Sequence, residues 1–211
     1  LIYISSYSEL KKYTFLNTNI SIEKVFKPEL KLLPAIYNFC LQQKITLSIL
    51  LKTNQINKEK NFYLKILKNK FKINNFQHLK FYQKTKTKSS YEIIKDFETV
   101  VSIDSALGIE AINYNVKSVF FSVRGKFFKN KNFEFGWPKK MKKKGFCWSE
   151  NLSEKRINYL LKQNLNLTLK EWKYKAFKNN FNKIMFYDYK NKIAKKIFNN
   201  ILSNRILFSK K

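Results

Sequence analysis

The chain is short of the residues that bend a backbone. It has 4 Gly and 3 Pro in 211 residues, no internal repeat is visible, and its Lys/Asn tracts read as compositional bias rather than linkers. Cysteine is also scarce. Cys40 and Cys147 lie far apart, without a CxxC pair and with no histidine beside them. Such spacing gives neither a metal site nor a disulfide framework, and it fits a reducing, cytoplasmic compartment. His78 is the single histidine, which excludes an HExxH element, and no Ser-His-Asp motif is visible in the sequence. No apolar run approaches the roughly 20 residues that a membrane span needs, and no signal peptide is visible.

Arginine is the most telling shortage. Arg124, Arg156 and Arg205 are the only three, so 40 of the 43 basic residues are Lys, against 14 acids and a net charge of +29. Readers of bases and phosphates favour the bidentate fork of Arg. Nucleic acid is therefore disfavoured as a partner despite the charge. The 24 Asn and 5 Ala mark a codon bias that would enrich Lys in any protein. An anionic membrane suits a lysine surface at least as well, at about 1 kcal/mol per Lys near the lipid.

What is present is an alternation of buried-type strands and helices. Leu1–Ile4, Ile45–Leu51, Leu79–Tyr82, Thr99–Ile103 and Val116–Phe121 read as strands. Lys27–Leu41 and Lys58–Lys68 read as helices between them. Ser90 is placed as the cap of a short helix from Tyr91 to Asp96. Near-continuous apolar strands alternating with helices of about 10 to 15 residues indicate βαβ units and a parallel sheet. The expected fold class is α/β: a Rossmann-like parallel sheet flanked by helices. Residues 122–149 read as a long loop, with Trp137 and Trp148 fastening it to the core. Three helices should follow, capped by Ser153, Thr168 and Asp188. Trp172, Phe177, Phe181, Ile184 and Met185 are expected to form a packed stripe. The division expected is a Rossmann-like domain over 1–150, with C-terminal helices over 151–211 packing on it.

Polar turn residues concentrate at one place, Thr99-Val-Val-Ser-Ile-Asp-Ser-Ala-Leu-Gly-Ile-Glu-Ala-Ile112. This reads as strand, tight turn, short helix. In an open parallel sheet, ligands bind beyond the strand ends where helices begin. Asp104, Ser105, Gly108 and Glu110 supply the parts of a phosphate and ribose cradle. Ser105 can donate to phosphate oxygens, Gly108 permits close backbone approach, and Glu110 can accept from ribose hydroxyls. The same residues also suit helix capping and a solvated first turn, and both readings stand on spacing alone. Arg124, at the edge of the next strand, is placed to clamp a diphosphate or a sugar carboxylate. Ser90 is a further candidate, facing the nucleotide from the preceding loop.

The segment Val101–Ala111, with Lys117-Ser-Val-Phe-Phe121 after it, resembles the donor-site motif of bacterial surface-carbohydrate and capsule polysaccharide glycosyltransferases of the two-domain GT-B architecture. Phe135-Gly-Trp-Pro138, Gly145-Phe-Cys-Trp148, Glu171-Trp172 and the stretch from Ile184 to Asn191 add to the likeness. The resemblance implies the C-terminal, donor-binding half of such an enzyme, with the N-terminal acceptor domain absent. Ser105, Gly108 and Glu110 would hold the nucleotide of the donor. Ala106 stands where the motif usually has Thr, which removes one hydroxyl. No catalytic residue is assigned, because the resemblance places the acceptor base in the other half. It implies no metal or cofactor, only a nucleotide-sugar as substrate. A glycan or lipid-linked acceptor would be the partner, at the cytoplasmic face of the inner membrane. The alternatives are a nucleotide-sugar epimerase or glycerophosphotransferase of the same fold, or a non-catalytic basic module binding nucleic acid or anionic membrane.

Overall fold

A computed structural model of the chain describes residues 1–8, 12–15, 18–125, 142–179, 181, 192 and 195–201. Six parallel strands form the main sheet: β1 (Ile2–Ile4), β4 (Leu47–Leu51), β5 (Leu79–Gln83), β6 (Thr99–Ser102), β7 (Lys117–Phe121) and β8 (Trp148–Ser149). Their spatial order is β5-β4-β1-β6-β7-β8. The sheet thus grows outward from β1 in one direction and from β6 in the other. Central strands are buried at every position, whereas β5 is only half-buried. Apolar runs of Val, Ile, Leu and Phe therefore mark the middle of the sheet, and the mixed Leu-Lys-Phe-Tyr-Gln marks its edge. Register pairs Tyr3 with Ile49 on one side and with Val101 on the other.

Helices cover both faces. On one face lie α1 (Ile22–Gln42), α2 (Ile56–Phe71) and α5 (Glu154–Asn166), whose Leu33, Ile36, Tyr63, Leu67, Ile157 and Leu160 share a core with Tyr3, Ile49, Val101 and Val119. On the other face, α3 (Ser90–Ile94), α4 (Ala106–Glu110) and the 3-10 turn Ala111–Tyr114 pack on Ile2, Ile4 and Val100. There α6 (Leu169–Lys178) sets Trp172 and Ala176 against Phe120, Trp148 and Phe181. The expected α/β Rossmann-like sheet with trailing C-terminal helices is what the chain forms.

Several boundaries differ from the sequence reading. Helix α1 begins at Ile22, before Lys27, and runs through Pro28 and Pro34. Burial of Val25 and Phe26 against Tyr7 and Phe62 extends it, so packing overrides the cost of an interior proline. Residues 12–21 hold an antiparallel pair, β2 (Lys12–Phe15) and β3 (Thr18–Ser21), which the apolar pattern did not mark. The loop over 122–149 ends in β8, where Trp148 is buried and its ring nitrogen donates to the Lys142 carbonyl at 2.7 Å. Trp148 does fasten this loop, while Trp137 lies outside the described residues. Ser153 and Thr168 cap their helices as expected; Asp188, Ile184 and Met185 lie outside the described residues. Phe177 departs from the packed stripe and is 68% exposed, because it faces away from Trp172 around the α6 axis.

Candidate functional site

Because β1 and β6 are neighbours whose following segments lead to opposite halves of the sheet, a crevice opens beyond their C-terminal ends. A cavity of about 640 Å³ lies there, within the size range of small-molecule sites. It gathers chain from five strands. Ser5, Ser6 and Ser8 follow β1, Lys52 follows β4, Lys84 and Ser90 follow β5, Asp104 and Ser105 follow β6, and Arg124 follows β7. Three cations and one carboxylate on this wall favour an anionic ligand that also carries hydroxyls.

Asp104 sits at φ 45°, a left-handed conformation that a non-glycine residue adopts at a cost and that is common at functional turns. Its side chain is 23% exposed, and its carboxylate lies 3.8 Å from an Arg124 guanidinium nitrogen. Burial raises its pKa above the ordinary carboxylate value, and the Arg124 charge partly offsets that rise. Arg124 also donates to the Ile103 carbonyl at 3.3 Å, while its Nε is buried without a partner. The guanidinium is thereby held at the cavity wall.

Ser105 precedes α4 with no capping hydrogen bond from its hydroxyl, so that group is not consumed by the helix. Ser90 turns out to be the first residue of α3, not its cap. Ser89 holds that position in a full capping box with Glu92, a spacing of Ser and Glu that the sequence displays. With Ser89 as the cap, Ser90 lines the cavity.

Two of the six residues singled out from the sequence stand outside the cavity lining. Glu110 accepts from the Tyr91 hydroxyl at 2.5 Å, which ties α4 to α3. This bond also raises the pKa of Tyr91. Gly108 is buried, and a Cβ there would lie 2.8 Å from Ser102 Cβ and against Ser102 Oγ. Its carbonyl accepts from the Ser118 hydroxyl at 2.7 Å. The absence of a side chain therefore brings α4 down onto β6 and β7.

Sequence reasoning missed the opposite wall and the buried carboxylates that support it. Glu59 is fully buried and accepts from the Ser5 hydroxyl, from the Lys52 amide at 2.9 Å, and from the amide and hydroxyl of Thr53 at 2.8 Å each. One side chain thus holds the turns after both β1 and β4. Glu29, also fully buried, accepts from the Tyr3 hydroxyl at 2.6 Å, the Tyr63 hydroxyl at 2.9 Å and the Ser6 amide at 3.3 Å. Burial, with the Glu29 charge beside them, pushes both tyrosine pKa values well up. For Glu29 the available signal was an acid between Pro28 and Leu30 in a chain with only 14 acids; Glu59, flanked by Lys58 and Lys60, carried no such signal. His78 is remote from this site and occupies an exposed left-handed turn before β5, where its carbonyl accepts from Leu47.

Among the described residues, no three His, Cys, Asp or Glu side chains converge as metal ligands would. Both cysteines are buried, and burial pushes the Cys40 thiol up to about 12. No helix among the described residues is long and apolar enough to cross a membrane.

A family profile described as "putative O-antigen biosynthesis protein" matches residues 1–202. No curated protein and no solved structure matches the chain.

Proposed function

The chain belongs to this O-antigen biosynthesis family, and from that premise we propose that its cavity is the donor site of a GT-B-type glycosyltransferase. The observation that carries the reading is the meeting of Ser5, Ser6, Lys52, Lys84, Asp104, Ser105 and Arg124 beyond the diverging ends of β1 and β6. Lys52, Lys84 and Arg124 neutralise the phosphates of a nucleotide-activated sugar. Ser105 and Ser90 donate to phosphate oxygens, and Asp104 accepts from hydroxyls of the ribose or the sugar. Glu110 acts through Tyr91 by holding the helix of Ser90 against that of Ser105. Gly108 acts by letting α4 seat.

In such a transfer the bond from anomeric carbon to phosphate oxygen breaks, and negative charge grows on the departing nucleotide. Fixed cations and hydroxyls already aimed at those oxygens stabilise the charge without reorganising, which is electrostatic catalysis. The proton of the attacking acceptor hydroxyl goes to a base outside the assigned residues. The acceptor is a glycan or a lipid-linked glycan on the cytoplasmic side of the membrane.

A thermal-shift titration with CMP, CDP, UDP, GDP and ADP at moderate salt tests the reading. Ligand at about 100 times its dissociation constant adds roughly 2.7 kcal/mol of stability. Stabilisation should be selective for one base, and Arg124→Ala with Ser105→Ala should weaken binding at least about tenfold, or roughly 1.4 kcal/mol. Equal, salt-sensitive shifts with every nucleotide, unchanged in that double variant, would refute it.

A further inference from the structure

Helix α6 presents two unlike faces. Trp172 and Ala176 point into the core, and the rotation of 3.6 residues per turn puts Lys170, Tyr174, Phe177 and Lys178 on the opposite side. Tyr174 and Phe177 are 58% and 68% exposed. The Lys178 ammonium lies 4.7 Å from the centre of the Tyr174 ring. The helical stretch 195–201 repeats the chemistry. Ile197, Phe198 and Ile201 are 55%, 62% and 49% exposed, and Lys195 and Lys196 precede them. Across 169–201 there are nine Lys against Glu171 and Asp188. Glu171 is engaged at the α6 N-terminus in the Thr168 capping box.

Large apolar side chains left in water beside lysines are the chemistry of a surface that enters a lipid interface. Aromatic and aliphatic groups reach the acyl boundary while ammonium groups meet anionic headgroups. We infer that the solvent face of α6 docks on an anionic bilayer and that residues 195–201 supply a further contact of the same chemistry. The charge decides among occupants. A second copy of the chain would set lysines against lysines, and like charges disfavour that association. Nucleic acid would use the lysines but gives Ile197 and Ile201 nothing to bury in, and arginine is absent from 169–201. Anionic lipid satisfies both groups at once. This surface is independent of the cavity, so either assignment can fail without the other.

Flotation of the full chain with vesicles tests it, using phosphatidylcholine alone and phosphatidylcholine with about one-third phosphatidylglycerol. The chain should float with the anionic vesicles and remain behind with the neutral ones. Phe177→Ser with Phe198→Ser should reduce binding about tenfold or more, and Lys170→Gln with Lys178→Gln should do likewise. Because these side chains are exposed, melting temperature and nucleotide-dependent stabilisation should remain as in the parent. Equal binding to both vesicles, undiminished binding of either variant, or a dimer that Phe177→Ser/Phe198→Ser dissolves would overturn the inference. So would anionic-vesicle binding that single-stranded DNA displaces fully in the parent and in the phenylalanine variant alike.

Discussion

Gly108 and Asp104 are four residues apart, and the turn between them asks opposite things of its side chains. A methyl group at Gly108 would collide with the Ser102 side chain under α4. Gly108→Ala should therefore lose about 1–3 kcal/mol through overpacking. Adding Ser102→Gly should recover most of that loss, since the obstructing atoms are those of Ser102; chemical denaturation of the four species gives the coupling. Asp104 is a carboxylate held against its preference. Its folded pKa is raised by burial, so folding favours its protonated form. The stability it contributes is full below the ordinary carboxylate pKa and is lost as pH rises through the folded value. Asp104→Asn removes that penalty and keeps a residue tolerant of the left-handed turn. Melting curves should show the variant more stable than the parent at neutral pH, with the gain vanishing below the carboxylate range. Nucleotide binding should weaken in the same variant, the exchange expected where a site is kept at the expense of stability.

At the scale of elements, the C-terminal helices are joined to the sheet by polar groups as much as by apolar ones. Buried Asn164 on α5 donates to the Phe146 and Leu160 carbonyls at 2.9 and 2.7 Å and accepts from the Trp172 ring nitrogen at 2.7 Å. It thereby links α5, the strand-leading loop and α6. Lys117 of β7, 1% exposed, donates to Leu165 and Leu167 carbonyls at the end of α5 and pairs with Glu98 at 2.5 Å. Asn164→Ala should cost about 2–4 kcal/mol in urea unfolding, since it removes two buried hydrogen bonds and a third that is half-buried. A loss below about 0.5 kcal/mol would mean that these groups find water. The strands were legible because a run such as Val119-Phe120-Phe121, buried on both faces, leaves little ambiguity. Caps at Ser153 and Thr168 were legible from side-chain chemistry alone. The β2–β3 pair and α1's first turns were not, because local pattern there is weak and tertiary contact decides. For the site, the β6 turn was readable from its clustered polar residues. The wall built by Ser5, Ser6 and Lys52 was not, since only the fold brings β1 and β4 beside it. Glu110 shows the converse: its sequence position suits a ribose contact, yet in the fold it meets Tyr91.

The whole molecule combines a charge of +29 with a cavity that concentrates a few of those cations around hydroxyls and one carboxylate. Surface lysines alone would bind any polyanion weakly and with strong salt dependence. On the proposed reading, a cavity with Arg124 oriented by Ile103 and serines held from behind by Glu29 and Glu59 would select by shape as well. Two separate anion interactions are therefore proposed for one chain: a selective one at the diverging strand ends and one at the mixed apolar and lysine surface of the C-terminal helices. The most direct test is a crystal structure of the chain soaked with the nucleotide that stabilises it most. Nucleotide density is expected beyond the ends of β1 and β6, with phosphate oxygens in hydrogen-bond reach of Arg124 and Ser105. Density confined to lysines on the outer surface, with the cavity holding solvent alone, would contradict the proposed donor site.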